Sequence, residues 1–400
     1  MYLKQLKFSA SVLLVILLSG CAHSPSPSSA PASLQPVSAP NTTNKMALRI
    51  YEKLPIYVNA AKLPWPSINI KTPITFGASN AAIPEIRTRL IALGDLPVDA
   101  TSQNPAYTQS LSRGISQFQK ENGLRVTGVI TEDTLNALNI TPAARYRELV
   151  SSMNEWANYP EDASSRYIQV NIPSYDMHVE QGGQDVLHMK VIVGRPERPT
   201  PLLSSKVTTI VFNPSWNVPK TILSQDVIPG MQKNPNYLQE HYNMKIYASW
   251  DKTAAEINPA TINWQTVNPS HFQYRVTAPP SDVNPLGRVK FIFANSEDIY
   301  MHDTPEKSIF DLTERARSSG CIRLQNPMGL VDYFSADNSD LTQFLITQYL
   351  STYDTKYIQL KNPMPIYITY ILAWVDTDGH VIFAQDIYHR GNRMLIIPLL

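Results

Sequence analysis

Two periods divide this chain. Between residues 83 and 160 apolar side chains recur every three or four positions, and from about 166 onward they alternate with polar ones. "IPEIRTRLIALGDLP" (83–97) places Ile86, Leu90 and Ile91 at helical spacing and ends at Gly94. "YTQSLSRGISQFQKENGL" (107–124) puts Leu111, Ile115 and Phe118 on one face and stops at Asn122-Gly123. A turn at Gly128 and an N-cap at Thr131 open a third short helix carrying Leu135 and Leu138. "ARYRELVSSMNEWANYP" (144–160) predicts a further helix. Then "RYIQVNIPSYDMHVEQGGQDVLHMKVIVGRP" alternates around Gly182-Gly183, the signature of a β-hairpin. "VTTIVFNPSWNVP", "RVKFIFAN" and "IYMHD" continue as strands. A second hairpin is predicted in "MPIYITYILAWVDTDGHVIFAQDIYH", turning at Asp378-Gly379, and is expected to complete the sheet. Between 220 and 286 the pattern loosens; a stretch of about 60 residues is too long for a plain loop and must carry structure of its own.

Composition adds three constraints. A hydrophobic content of 43% over 400 residues supports more than one core. A net charge of +1 argues against a nucleic-acid binder. Eight histidines are scattered without metal-ligand spacing, so no metal is expected, and no glycine loop suggests a nucleotide or other cofactor.

The N-terminus reads as targeting. "MYLKQLKFSASVLLVILLSGC" has a basic start and an apolar run of about ten residues, short for a membrane span. Its end, Leu18-Ser19-Gly20-Cys21, resembles a bacterial lipobox, which implies lipidation at Cys21 and an outer-membrane anchor facing the periplasm. Residues 22–44 are rich in Ser, Pro and Ala and read as a disordered tether.

With Cys21 lipidated, the second of the two cysteines, Cys321, is unpaired in an oxidising compartment. It follows Ser318-Ser319-Gly320, and His302 lies upstream at the end of a strand-like run. A thiol at its reference value is only about 3% thiolate at pH 7, and a nearby imidazole can take its proton. Full deprotonation raises the reactive species at most ~30-fold, so positioning and an oxyanion hole, worth about 10²–10³-fold per donor, must supply more. Gly320 permits a sharp turn that aims backbone N–H groups at one oxygen. Arg323, two residues beyond in an extended segment, shares a face with Cys321 and either holds a carboxylate or braces the loop.

His302 … Ser318-Ser319-Gly320-Cys321-Ile322-Arg323 resembles the signature of the L,D-transpeptidase (YkuD-type) catalytic domain, and "NPSWNVP", "NPLGRVKFIFAN" and "YMHDTP" agree. "RLIALG … SQFQKENGLRVTGVITEDTLNAL" resembles the peptidoglycan-binding domain found beside cell-wall enzymes. The implied architecture is multidomain: a β-rich catalytic domain plus a small all-α module. Its expected order is a signal (1–21), a linker (22–44), a scaffold segment (45–80), the helical module (81–141), a scaffold helix (142–165), the catalytic domain (166–345) with a capping insertion at about 220–286, and a terminal hairpin (346–400). One departure stands out: many simple members carry histidine or asparagine where Ser319 stands.

The resemblance implies that Cys321 attacks the third stem residue of a peptidoglycan tetrapeptide and expels D-alanine. A second stem then resolves the thioester as a 3→3 cross-link. His302 accepts the thiol proton, and N–H groups around Gly320 and Cys321 hold the oxyanion. Carbapenem β-lactams are expected to acylate the same sulfur. Arg323, Ser318, Ser319, Tyr300, Trp216 and Asn213 are candidates for substrate binding, with Ser318 and Ser319 also expected to hydrogen-bond within the loop. Asp303 points to the face opposite His302, so a backbone carbonyl is expected to orient the imidazole. Two alternatives stay open: hydrolysis on the same fold, as an L,D-carboxypeptidase or endopeptidase, and a non-catalytic lipoprotein tethering membrane to wall.

Overall fold

The computed structural model describes residues 34, 36–98 and 103–390; the signal segment with Cys21 and most of the tether lie outside the described residues. From Pro36 onward the chain clusters as one compact unit. Residues 36–44, read as the end of the tether, are docked: Thr42 Oγ1 donates to Ala157 O at 3.0 Å, and the buried Asn44 donates to Tyr159 O at 2.7 Å. The apolar positions downstream give these residues something to pack on, which the tether's own composition conceals.

Five helices follow: α1 (Lys45–Ala60), α2 (Ile83–Leu93), α3 (Gln109–Glu121), α4 (Glu132–Asn139) and α5 (Pro142–Trp156). Their ends follow local chemistry. Thr108, Thr131 and Thr141 cap α3, α4 and α5 by accepting backbone N–H groups, and Gly94 closes α2 in the left-handed region. The helices α2, α3 and α4 share one core of Ile86, Leu90, Leu111, Ile115, Phe118 and Leu138, while α1 packs on α5.

The β region comprises β1 (Arg166–Asn171), β2 (Asp176–Gln181), β3 (Gln184–Gly194), β4 (Leu203–Phe212), β5 (Trp216–Asn217), β6 (Lys245–Tyr247), β7 (Glu256–Ile257), β8 (Arg275–Ala278), β9 (Val289–Phe293), β10 (Met301–His302), β11 (Ala316–Ser318), β12 (Ile322–Leu324), β13 (Lys356–Thr369), β14 (Ala373–Val375) and β15 (Val381–Phe383). Nine of them form the main sheet in the order β11-β3-β12-β10-β9-β4-β13-β1-β2. The first part of β3 pairs with β2 and its end with β12 and β11, so the strand path closes on itself. Val170, Ile210, Phe291, Met301, Ile322 and Ile366 fill the interior, with helices Pro327–Ser335 and Gln343–Leu350 against them.

The capping insertion has its own sheet, β5-β8-β6-β7, and its own core of Trp216, Leu223, Ile228, Leu238, Ile246 and Trp264. It therefore begins at β5, before the expected boundary at 220. The terminal hairpin departs from expectation. The long β13 joins the main sheet, but β14 and β15 form a separate two-stranded sheet. Phe383 meets Tyr57 edge-on at 5.8 Å, and Trp156 Nε1 donates to Ala373 O at 3.0 Å. Burial against α1 and α5 wins over extension of the sheet. Among the described residues no helix is long and apolar enough to cross a membrane.

Candidate active site

Strand parity builds the site. β9 sends Val289, Phe291 and Phe293 into the interior, β10 sends Met301, and β12 sends Ile322 and Leu324. The intervening side chains face the other way, toward the cap. In register, Met301 pairs with Ile322, His302 with Arg323, and His302 with Lys290 across the other edge. Tyr300 O accepts from Ile322 N at 3.1 Å, which brings Tyr300 beside Cys321. One face thus carries Cys321, Tyr300, His302, Arg323 and Lys290.

The loop before Cys321 is held from both sides. Ser318 Oγ donates to Cys321 O at 2.6 Å and accepts from Gly320 N at 3.1 Å. Thr200 Oγ1 donates to Gly320 O at 2.7 Å. Gly320 sits at φ +115, and a Cβ there would lie 3.2 Å from Ile299 Cδ1, so any larger residue is strained. Because Gly320 N–H is committed to Ser318, the expected pair of free amides reduces to one: Cys321 N–H has no protein acceptor among the described residues. Ser319 Oγ accepts from Arg198 Nη1 at 3.0 Å, and Arg198 also grips Asp226 of the cap at 2.6 and 2.9 Å. Ser318 and Ser319 thus act within the loop, and Ser319 ties it to the cap.

Cys321 is half-exposed. Its sulfur lies 4.0 Å from Asp298 O and beside Tyr300, whose hydroxyl also neighbours Trp216. Burial pushes the thiol upward, against the Tyr300 hydrogen bonds and the Lys290 and Arg323 cations. His302 is buried, and its Nδ1 bonds the backbone carbonyl of Asp303 at 2.5 Å. That bond makes Nδ1–H the donor and leaves Nε2 as the basic nitrogen. Burial, helped by Arg323 and Lys290, lowers His302 to about 3, so at neutral pH the imidazole is uncharged. Asp303 is turned away: its carboxylate accepts from Arg288 N at 2.9 Å and Lys307 Nζ at 2.6 Å. His302 is not among the sulfur's hydrogen-bond partners, so the resting site holds the two on one face without joining them. The register explains this, since Cys321 sits beside Tyr300, two residue pairs short of His302.

Two candidates fall elsewhere. Asn213 is buried in a left-handed turn, donating to Tyr349 O and Asp354 O and accepting from Arg288 Nε at 2.8 Å. It pins the turn after β4 and does not line the cleft. Trp216 is buried in the cap core, edge-on to Tyr242 at 6.2 Å, and reaches the site only through Tyr300. Arg323 pairs with Glu306 at 2.8 Å and keeps partial exposure. Above this pair Tyr242 holds φ +66, a strained conformation for a bulky residue. Sequence reading missed Lys290, whose Nζ lies 3.6 Å from the Tyr300 ring centroid. The alternation of "RVKFIFAN" gave its face but not its neighbours. A depression of about 480 Å³, between residues 67–72 and α4, contains none of these residues.

The strand path that closes on itself, the inserted cap and the thiol face define a β-rich enzyme-type domain joined to a helical module. Residues 165–336 match the model of the L,D-transpeptidase catalytic domain, and residues 79–138 match that of the "Putative peptidoglycan binding domain". A curated protein of Haemophilus influenzae, "Putative L,D-transpeptidase", is 34% identical over 221 residues, 55% of this chain and 44% of its own length. The chain therefore spans less than half of that relative. Among solved structures, an L,D-transpeptidase of Stackebrandtia nassauensis is 13% identical, covers 74% of this chain and 97% of its own, and has a TM-score of 0.25. The LD transpeptidase LdtMt1 in complex with imipenem is 12% identical over 50% of this chain and 57% of its own, with a TM-score of 0.23.

Proposed function

We propose that this protein is a periplasmic L,D-transpeptidase that forms 3→3 peptidoglycan cross-links through a Cys321 acyl-enzyme. The carrying observation is the single face holding Cys321, Tyr300, His302 and Arg323 beneath the cap, with the sulfur presented by a turn that only glycine makes without strain. The match to the catalytic-domain model and the adjoining peptidoglycan-binding-like match support peptidoglycan as the substrate class.

Sγ attacks the carbonyl carbon of the third stem residue, and the thiol proton passes to His302 Nε2. An imidazole lowered to about 3 is a weak base at rest, but its conjugate acid is a strong donor. The proton therefore moves as the C–S bond forms, and it is returned readily to the departing D-alanine amine as the C–N bond breaks. Cys321 N–H, without a protein acceptor among the described residues, would receive the oxyanion. The side-chain amine of a second stem then attacks the thioester; its proton ends on sulfur as the C–S bond breaks. Arg323, balanced by Glu306 at the cleft edge, is suited to a stem carboxylate. Lipidation at Cys21 would hold the enzyme in the outer membrane. A carbapenem, presenting a strained acyl carbonyl, would acylate Cys321.

The test is to incubate the enzyme with disaccharide-tetrapeptide and weigh the products. Dimers with release of D-alanine, absent in Cys321→Ala, support the proposal. Tripeptide alone means hydrolysis, and products unchanged in Cys321→Ala reject the acyl-enzyme.

A further inference from the structure

Lys290 is the one cation of this face without a carboxylate partner among the described residues. Arg323 is neutralised by Glu306 at 2.8 Å, whereas Lys290 Nζ makes no hydrogen bond or ion pair and rests on the Tyr300 ring at 3.6 Å from its centroid. A lysine on a solvated strand face extends into water. This one is half-buried and pairs in register with His302 on β10. Burial lowers its ammonium, while Cys321 and Asp298 oppose that shift. The Tyr300 ring beneath it carries a hydroxyl that neighbours both Trp216 and the sulfur. Trp216 can only donate through its indole N–H, so a hydroxyl it approaches keeps its own proton available for Sγ.

We infer that Lys290 is a positioning residue: its ammonium clamps Tyr300 against Cys321 and favours the thiolate of that sulfur. The inference rests on Cys321 being the nucleophile of the proposed acyl transfer. The groups around the sulfur are Tyr300 from just before β10, Lys290 from β9, Arg323 from β12 and Asp298 from the turn before β10, with His302 of β10 on the same face. Of these, Asp298 alone is acidic, and it offers its backbone carbonyl to the thiol. When the proton leaves Sγ for His302 Nε2, the new negative charge meets the Tyr300 O–H and the Lys290 ammonium. The same ammonium repels an imidazolium, so Lys290 acts on both partners: it stabilises the thiolate and keeps His302 neutral. A purely structural lysine would shift neither.

The test is the pH profile of iodoacetamide alkylation at Cys321, followed by peptide mass, in the wild type, Lys290→Met and Lys290→Arg. An opposite charge at close range lowers an acid by roughly one unit or more. The midpoint for Lys290→Met is therefore expected about one pH unit higher, with the rate at pH 7 about tenfold lower; Lys290→Arg, which keeps the cation and its seat on the ring, stays within about threefold. Should Lys290→Met melt early, Lys290→Gln, with a polar end and no charge, gives the same comparison. A Lys290→Met or Lys290→Gln profile superposed on the wild type overturns the inference, as does a Lys290→Arg profile displaced as far as theirs. Alkylation needs no muropeptide. A shifted profile with no acyl transfer rejects the functional proposal alone, and an unshifted profile with normal cross-linking rejects the role of Lys290 alone.

Discussion

The buried imidazole should make this fold acid-sensitive in a way that one substitution removes. His302 is buried, its Nδ1 spent on Asp303 O, and burial with Arg323 and Lys290 lowers it to about 3. Unfolded, it returns to about 6.5. The folded value lies below the unfolded one, so the group's contribution is fully present above pH 6.5 and is lost as pH falls toward 3. Integrating proton uptake by the unfolded chain gives a loss of about 2–3 kcal/mol between pH 7 and pH 4.5. The buried carboxyls act in the opposite sense: burial raises Asp95, Glu148 and Glu161, so acid favours the folded form at those sites. They are common to wild type and His302→Gln and cancel in the difference. Urea unfolding followed by tryptophan fluorescence at the two pH values measures it. The wild type should lose about 2–3 kcal/mol more than His302→Gln on acidification. Losses equal within about 0.5 kcal/mol would refute the claim that His302 is held neutral by its surroundings.

Other substitutions separate loop geometry from chemistry. Ser318→Ala leaves Gly320 N and Cys321 O without their side-chain partner and should cost about 2–3 kcal/mol in urea unfolding, with slower alkylation of Cys321. Gly320→Ala forces a Cβ toward Ile299 at φ +115 and should cost about 1–2 kcal/mol, read as a lower melting temperature. Arg198→Met releases Asp226 and Ser319 together; limited proteolysis should then cut within 220–286 faster than in the wild type, while the melting of α2–α4 is unchanged. Asn213→Ala loses three hydrogen bonds and should destabilise by about 2–4 kcal/mol without changing KM for the stem peptide, because Asn213 faces Arg288 and not the cleft.

The elements legible in the sequence are those whose determinants are local. Thr108, Thr131 and Thr141 sit next to the helices they cap, Gly94 ends α2, and Gly182-Gly183 turns β2 into β3. Alternation also gave the face shared by Cys321 and Arg323, and the adjacency rule correctly sent the Asp303 carboxylate away from the imidazole. What stayed hidden depends on register and distance. Asn213 is fixed by Tyr349 and Asp354, well over a hundred positions away, so its neighbours in "NPSWNVP" say nothing of its role. Lys290 meets Tyr300 only because β9 pairs with β10. The gap between Cys321 and His302 follows from the pairing of the two-residue β10 with β12, which no residue spacing encodes. The terminal hairpin carries a strand pattern that fits a sheet edge or an independent pair equally well; the apolar faces of α1 and α5 decide between them.

Intact-protein mass spectrometry during turnover of disaccharide-tetrapeptide tests the central claim most directly. A transient species heavier than the free enzyme by the disaccharide-tripeptide acyl group, mapped to Cys321 and lost in Cys321→Ala, is the expected result. Product formation with no such adduct, or an adduct on another residue, would contradict it.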